Sequence, residues 1–222
     1  MTNEEARRID RIINDLVTAI NTDISPIIQP GKPEGGYFGV PRTVLCYVDV
    51  LGLLYSGWSG RKKKNGDKDD FATPNKAKAF IKEVFSQIDE LYDKNGELLY
   101  DMYRHGTVHL HSPKKMVSRT EPNKTIEWLI YKGDREHWEY YENRAYKFQH
   151  LKVIRWENDR YMLPVSILIL YTDLLEAIDL YRKLIYRDKS EELAKNLLTV
   201  ADGLDQYFDS TAHKFWEGIE GE

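Results

Sequence analysis

Apolar residues recur with the spacing of helix faces near both ends of the chain and with a different pattern in between. Ile9, Ile12, Ile13, Leu16, Val17 and Ile20 follow the three-then-four spacing of one helical face. That helix should end before SPIIQPGKPEGG, residues 25–36, whose prolines and glycines read as loop. A second helix is expected from Pro41, a residue tolerated at the first helical position, with Val44, Leu45, Val48, Leu51, Leu54 and Tyr55 along it. It is apolar nearly all round, as a central buried helix is. Asp49 interrupts it. Two roles fit that acid: a carboxylate hydrogen-bonded within the bundle or placed at its edge, or one that orients a site.

Thr73-Pro74 then reads as a cap followed by a first-turn proline. Ala77, Phe80, Ile81, Val84, Phe85, Ile88 and Leu91 mark an amphipathic helix that Asn95-Gly96 should break or turn. Helical spacing resumes at Glu97 through Leu98, Leu99 and Met102 to about His109. Beyond residue 120 the pattern changes. TIEWLIY (125–131) and FQHLKVIRW (148–156) are rich in β-branched and aromatic residues, and WENDR (156–160) reads as a hairpin turn into YMLP. These predict a small antiparallel sheet of three strands. Helical spacing returns at Pro164 and runs to about Tyr186. A last helix is capped by Ser190, carries Glu191 and Glu192 in its first turn, and has Leu193, Leu197, Val200, Leu204 and Phe208 as its apolar face.

The expected fold class is therefore mostly α: a bundle of about six helices with a small antiparallel β-sheet insertion, in a single domain spanning 1–222. The helical core covers about 1–118 and 164–210, and the β insertion about 120–163. A length of 222 residues is enough for a sizeable core. The polar start MTNEEARRID is no secretory signal, no apolar run is long enough for a bilayer, and one cysteine, Cys46, excludes an internal disulfide framework. A cytoplasmic protein without membrane contact follows as the expectation. Fifteen tyrosines and five tryptophans read chiefly as core and interface residues, with a base-stacking surface as the alternative.

Charge changes the picture in one place. The chain is mildly acidic, with a formal net charge of −4, which argues against broad electrostatic binding to nucleic acid. RKKKNGDKDD (61–70) mixes both signs and reads as a solvated loop. DMYRHGTVHLHSPKK (101–115) instead gathers one arginine, three histidines and two lysines, and after Asp101 no acid follows until Glu121. His105 and His109 share a helical face, as metal-binding pairs do, with His111 as a third ligand. Arg104, Lys114 and Lys115 would repel a cation, so neither metal nor cofactor is expected. An anion site that handles protons fits better. Arg104 offers a guanidinium fork for phosphate, and a histidine among cations tends to be neutral near pH 7 and able to accept a proton. Together these suffice for metal-free RNA cleavage, in which a deprotonated 2′-hydroxyl attacks the adjacent phosphate.

The run Arg104-His105-Gly106-Thr107-Val108-His109 resembles the signature of HEPN domains (higher eukaryotes and prokaryotes nucleotide-binding): arginine, a polar residue, a short spacer and a histidine, where a central helix of a helical bundle ends. The resemblance implies a HEPN-like bundle and a metal-independent endoribonuclease of single-stranded RNA, found in toxin–antitoxin, CRISPR-associated and anti-phage systems. It implies a homodimer with the two motifs facing each other, and an antitoxin or other regulatory protein as partner. Carried over, Arg104 positions the phosphate and stabilises the transition state, His109 is the acid/base residue, and His105 supports both. Lys114, Lys115, Arg119 and His111 would steer the RNA backbone. Some HEPN domains are catalytically silent, so a nucleotide- or protein-binding module is the alternative. On a straight helix, residues five apart point about 140° from each other. Arg104 and His109 thus meet only if the helix kinks, as at Gly106, or if two protomers share the site. Otherwise Arg104 is a surface ion-pair residue and His109 a capping or packed histidine.

Overall fold

The structure is a computed structural model that describes residues 1–28, 35–57, 73–104, 106, 112–141, 144–187 and 190–216, with the side chains of 73, 139–141, 144 and 204–216 outside that description. The loop 61–70, most of GKPEGG, and His105, His109 and His111 therefore lie outside the described residues. So do the side chains of Leu204 and Phe208.

Six α-helices stand among the described residues: α1 (Asn3–Ile24), α2 (Gly39–Ser56), α3 (Thr73–Glu83), α4 (Leu91–Leu99), α5 (Ile167–Arg187) and α6 (Glu191–Trp216). Thr2 caps α1 in a reciprocal box with Glu5, and Ile9, Ile13, Ile20 and Ile24 are its buried stripe. α2 packs against α1, α3, α5 and α6, so the helix that is apolar all round is the central one. It approaches α3 so closely that a Cβ on Gly52 would lie 2.6 Å from the backbone of Lys76 and Ala77. Among the described residues no helix is long and apolar enough to cross a membrane.

The helix expected to run from Thr73 to Asn95 is two helices. α3 ends at Glu83, a 3-10 turn occupies Phe85–Gln87, and Asp89 Oδ1 accepts the Leu91 N–H at the start of α4. Asn95-Gly96 does not break α4. A Cβ at Gly96 would sit 2.3 Å from Ile81 Cγ2, and Asn95 Nδ2 donates to the Leu151 carbonyl at 2.8 Å. The pair serves close packing here, which a local reading takes for a turn.

The sheet also differs from the expected antiparallel one. It is mixed and four-stranded, in the order β1-β2-β6-β5, with a separate antiparallel pair β3-β4. The strands are β1 (Met116–Val117), β2 (Thr125–Tyr131), β3 (Glu136–Tyr141), β4 (Arg144–Gln149), β5 (Ile154–Glu157) and β6 (Arg160–Ser166). Its centre is parallel: β2 and β6 pair from Thr125↔Arg160 to Tyr131↔Ser166. Ile126, Trp128 and Ile130 pack on the bundle core, as alternate residues of one strand face do. FQHLKVIRW is not one strand, because Leu151 adopts φ 59°, a left-handed conformation uncommon for a residue with a Cβ, and splits β4 from β5. Nor does the helix begin at Pro164. β6 continues to Ser166, and β5 pairs only as far as Met162, so Pro164 has a ladder on one side alone.

Candidate functional site

Arg104 ends a π-helical turn, Tyr100–Arg104, that continues α4. Such turns widen a helix by one residue and re-aim its side chains. This one is tied down on two sides. Asp101 is paired with Lys78 of α3 at 2.8 Å, so the single acid of the cationic stretch is already matched. Tyr100 and Arg104 both turn to Asp49 of α2. The Tyr100 hydroxyl donates to Asp49 Oδ1, and Arg104 Nε–H donates to Oδ2 at 2.6 Å. Asp49 is thus the carboxylate that orients Arg104, through hydrogen bonds inside the bundle.

Burial decides how this pair behaves. The side chains of Arg104 and Asp49 are 23% and 11% exposed. Burial by itself lowers the Arg104 pKa, but the Asp49 hydrogen bond and charge outweigh it and raise the net value. Burial, then the Asp49 bond and charge, push the Tyr100 hydroxyl up, so it remains a donor. Among the described residues no carboxylate takes the terminal Nη groups of Arg104. With respect to the described carboxylates they are open to an anion, while Nε fixes the plane of the fork.

The chain doubles back beside Arg104. An added Cβ at Gly106 would lie 2.5 Å from the Ser112 carbonyl oxygen and from the Lys114 nitrogen, so only glycine fits this return. The Lys114 N–H donates to the Met102 carbonyl at 2.8 Å, closing the return onto the π-turn. Gly106 and Lys114 are therefore brought to Arg104's turn. Lys115 is not free: its ammonium pairs with Glu127 of β2 at 2.8 Å, and Glu127 also meets Arg160. Arg119 is exposed on the turn between β1 and β2.

Two further residues share the Asp49 face of α2. Arg42, Cys46 and Asp49 stand four and three residues apart in an unbroken helix. Burial raises the Cys46 pKa; the charges of Arg104 and Arg42 oppose this and that of Asp49 adds to it. One turn nearer the helix start, Phe38 meets Trp128 of β2 edge-on, with ring centroids 5.5 Å apart.

A second polar cluster, unforeseen in the sequence, lies where the sheet region joins the bundle. His150 is fully buried, and its Nδ1 accepts the Ser166 backbone N–H at 3.0 Å. Neutral His150 then carries its proton on Nε2, 3.2 Å from the Tyr92 hydroxyl, which donates onward to Asp173 Oδ2 at 2.9 Å. Arg135 closes the chain, Nη2 to Asp173 at 2.7 Å and Nη1 to Asp89 at 2.6 Å. Burial, with the Arg135 charge adding to it, lowers the His150 pKa to about 3.

Among the described residues no group of three or more His, Cys, Asp and Glu side chains converges as metal ligands. A cleft of about 680 Å³ opens between the first turn of α1 and α6, lined by residues that include Glu4, Arg8, Lys195 and Asp202 and none of the site residues above. Among the described residues Tyr92, Tyr100, Tyr103 and Tyr181 are fully buried, whereas Trp138 on β3 is 61% exposed. No family model matches this sequence, no curated protein is significantly similar to it, and no solved structure matches its fold.

Proposed function

We propose that this chain is a metal-independent endoribonuclease of HEPN type, working as a homodimer in a defence or toxin–antitoxin setting and cleaving single-stranded RNA. The observation that carries the reading is Arg104. A buried carboxylate grips its Nε at the end of a π-turn and leaves the terminal nitrogens for a phosphate. A guanidinium held this way is preorganised for charge that grows on a phosphoryl oxygen. His109 takes the proton from the 2′-hydroxyl, and O2′ bonds to phosphorus. The bond to the 5′-oxygen breaks, that oxygen receives a proton, and the products are a 2′,3′-cyclic phosphate and a 5′-hydroxyl. His105 supports the pair, and Lys114, Lys115, Arg119 and His111 guide the backbone.

The Arg104–Asp49 ion pair also supports a second reading, because an arginine already matched by a carboxylate can hold phosphate without turnover. The chain would then be a catalytically silent nucleotide- or protein-binding module. Incubating a mixed single-stranded RNA pool in EDTA with the native protein, Arg104→Ala and His109→Ala separates the two. Cleavage by the native protein alone, with cyclic or 3′-phosphate ends, is the expected result. RNA binding without cleavage by folded native protein selects the binding module. RNA binding that survives replacement of both Lys114 and Lys115 by Glu removes the lysines from the reading.

A further inference from the structure

A second arginine stands on the helix that holds Arg104 in place, α2. Arg42 lies on the Asp49 face, seven residues towards the helix start, or about 10 Å along the axis. Among the described residues no carboxylate pairs with it. Its Nε is covered from solvent and has no hydrogen-bond partner. A covered guanidinium nitrogen without an acceptor carries a desolvation cost, so the Arg42 side chain gains by any rearrangement that brings an acceptor to it. Between Arg42 and Asp49 sits Cys46, whose thiol senses the charges of both Arg42 and Arg104. On this face of α2 Asp49 is turned to Arg104, and among the described residues no acid pairs with Arg42.

We propose that Arg42 and Arg104 form a two-arginine phosphate cleft along α2, in which Arg104 holds the reacting phosphodiester and Arg42 holds the neighbouring phosphate of the same strand. This rests on the ribonuclease reading for its substrate, but not for its chemistry, because two guanidinium groups that converge on a strand also hold a compact polyanion such as pyrophosphate. Arg42 is a binding residue in this scheme. It touches a phosphate that does not react, so it contributes to affinity and to register along the strand and leaves the bond-breaking step to Arg104 and His109.

The test is calorimetric titration of the native protein with inorganic pyrophosphate, repeated with Arg42→Gln, Arg42→Met, Arg42→Lys and Arg104→Ala. Thermal unfolding of each variant confirms the fold, and Arg42→Met, which keeps the apolar stem without the charge and should weaken binding as Arg42→Gln does, keeps the test valid should the glutamine variant fail to fold. Native protein should bind pyrophosphate, Arg42→Gln should weaken it about tenfold, the equivalent of one charge-assisted hydrogen bond, and Arg42→Lys should retain most of it. In the RNA assay Arg42→Gln should raise KM with kcat nearly unchanged, and should lower the slope of affinity against salt by about one. Pyrophosphate affinity within twofold of native for Arg42→Gln, or no pyrophosphate binding by the native protein, overturns the cleft. Native RNA cleavage with an unchanged KM for Arg42→Gln overturns this inference and leaves the nuclease reading standing. Pyrophosphate binding that needs both arginines, without RNA cleavage, supports the cleft and removes the nuclease.

Discussion

The two arginine clusters use the same parts to opposite ends. Each sets an arginine against an aspartate on a helix and adds a buried tyrosine hydroxyl. In the Arg135 cluster both Nη groups are taken by carboxylates, Asp89 and Asp173, and Tyr92 and His150 complete an unbroken chain of donors and acceptors. In the Arg104 cluster a single carboxylate takes Nε, and the fork beyond it meets no acid among the described residues. The first is saturated and joins two parts of the fold. The second has bonding capacity left over, which is what a site needs.

The comparison breaks most sharply at Asp173. Asp173→Ala leaves Arg135 with Asp89 alone and the buried Tyr92 hydroxyl without its acceptor, so it should cost about 2–3 kcal/mol in urea unfolding. Any RNA activity of the fraction still folded should be unaffected. A loss below about 1 kcal/mol would mean that the cluster does not join sheet and bundle.

Acid should act next, and through the same cluster. The folded pKa of His150 lies at about 3, against 6.5 for a free histidine. Above pH 6.5 both folded and unfolded chains keep it neutral, and its contribution to stability is fully present. Below 6.5 the unfolded chain takes up a proton that the folded one refuses, so stability falls until pH 3. The loss should be on the order of 2 kcal/mol by pH 5. Urea midpoints between pH 7 and 5 measure it, before most carboxylates titrate, and His150→Asn should flatten the slope.

The smallest effect on stability should come from Asp49→Asn. The amide still accepts from Tyr100 or Arg104 and should cost about 1 kcal/mol. Function should suffer as well: loss of the carboxylate charge loosens Arg104, and pyrophosphate affinity should drop about tenfold, or about 1.4 kcal/mol. Native pyrophosphate affinity in folded Asp49→Asn would show that Asp49, like the acids of the Arg135 cluster, serves stability alone.

Much of the bundle was legible because its signals are local. The isoleucine stripe of α1, the all-apolar face of α2 and the acidic first turn of α6 each report on their own helix. Asp49 stood out as an acid in an apolar run, yet its partner Arg104 is 55 residues away and cannot be paired with it by spacing. His150 was silent for a stronger version of the same reason. It sits in a β-like run, and Tyr92, Arg135 and Asp173 reach it from three other segments. Gly96 and Pro164 misled because each answers to tertiary contact: a close approach to Ile81, and a stretch of β6 paired on one side only. The parallel ladder had no local signal at all.

That ladder sets an order of assembly. β2 and β6 are separated by β3, β4 and β5, and their pairing must wait until that whole stretch has been drawn in. The turn carrying Arg104 is continuous with α4 and comes into being with the neighbouring helices. Trp128, which meets Phe38 at the start of the Arg42 face, arrives only with the sheet. Arg42 and Arg104 both stand on or against helices, so only the Phe38–Trp128 contact at the helix start depends on the sheet. A chain with its helices but without its paired sheet would carry both arginines and lack that aromatic cover.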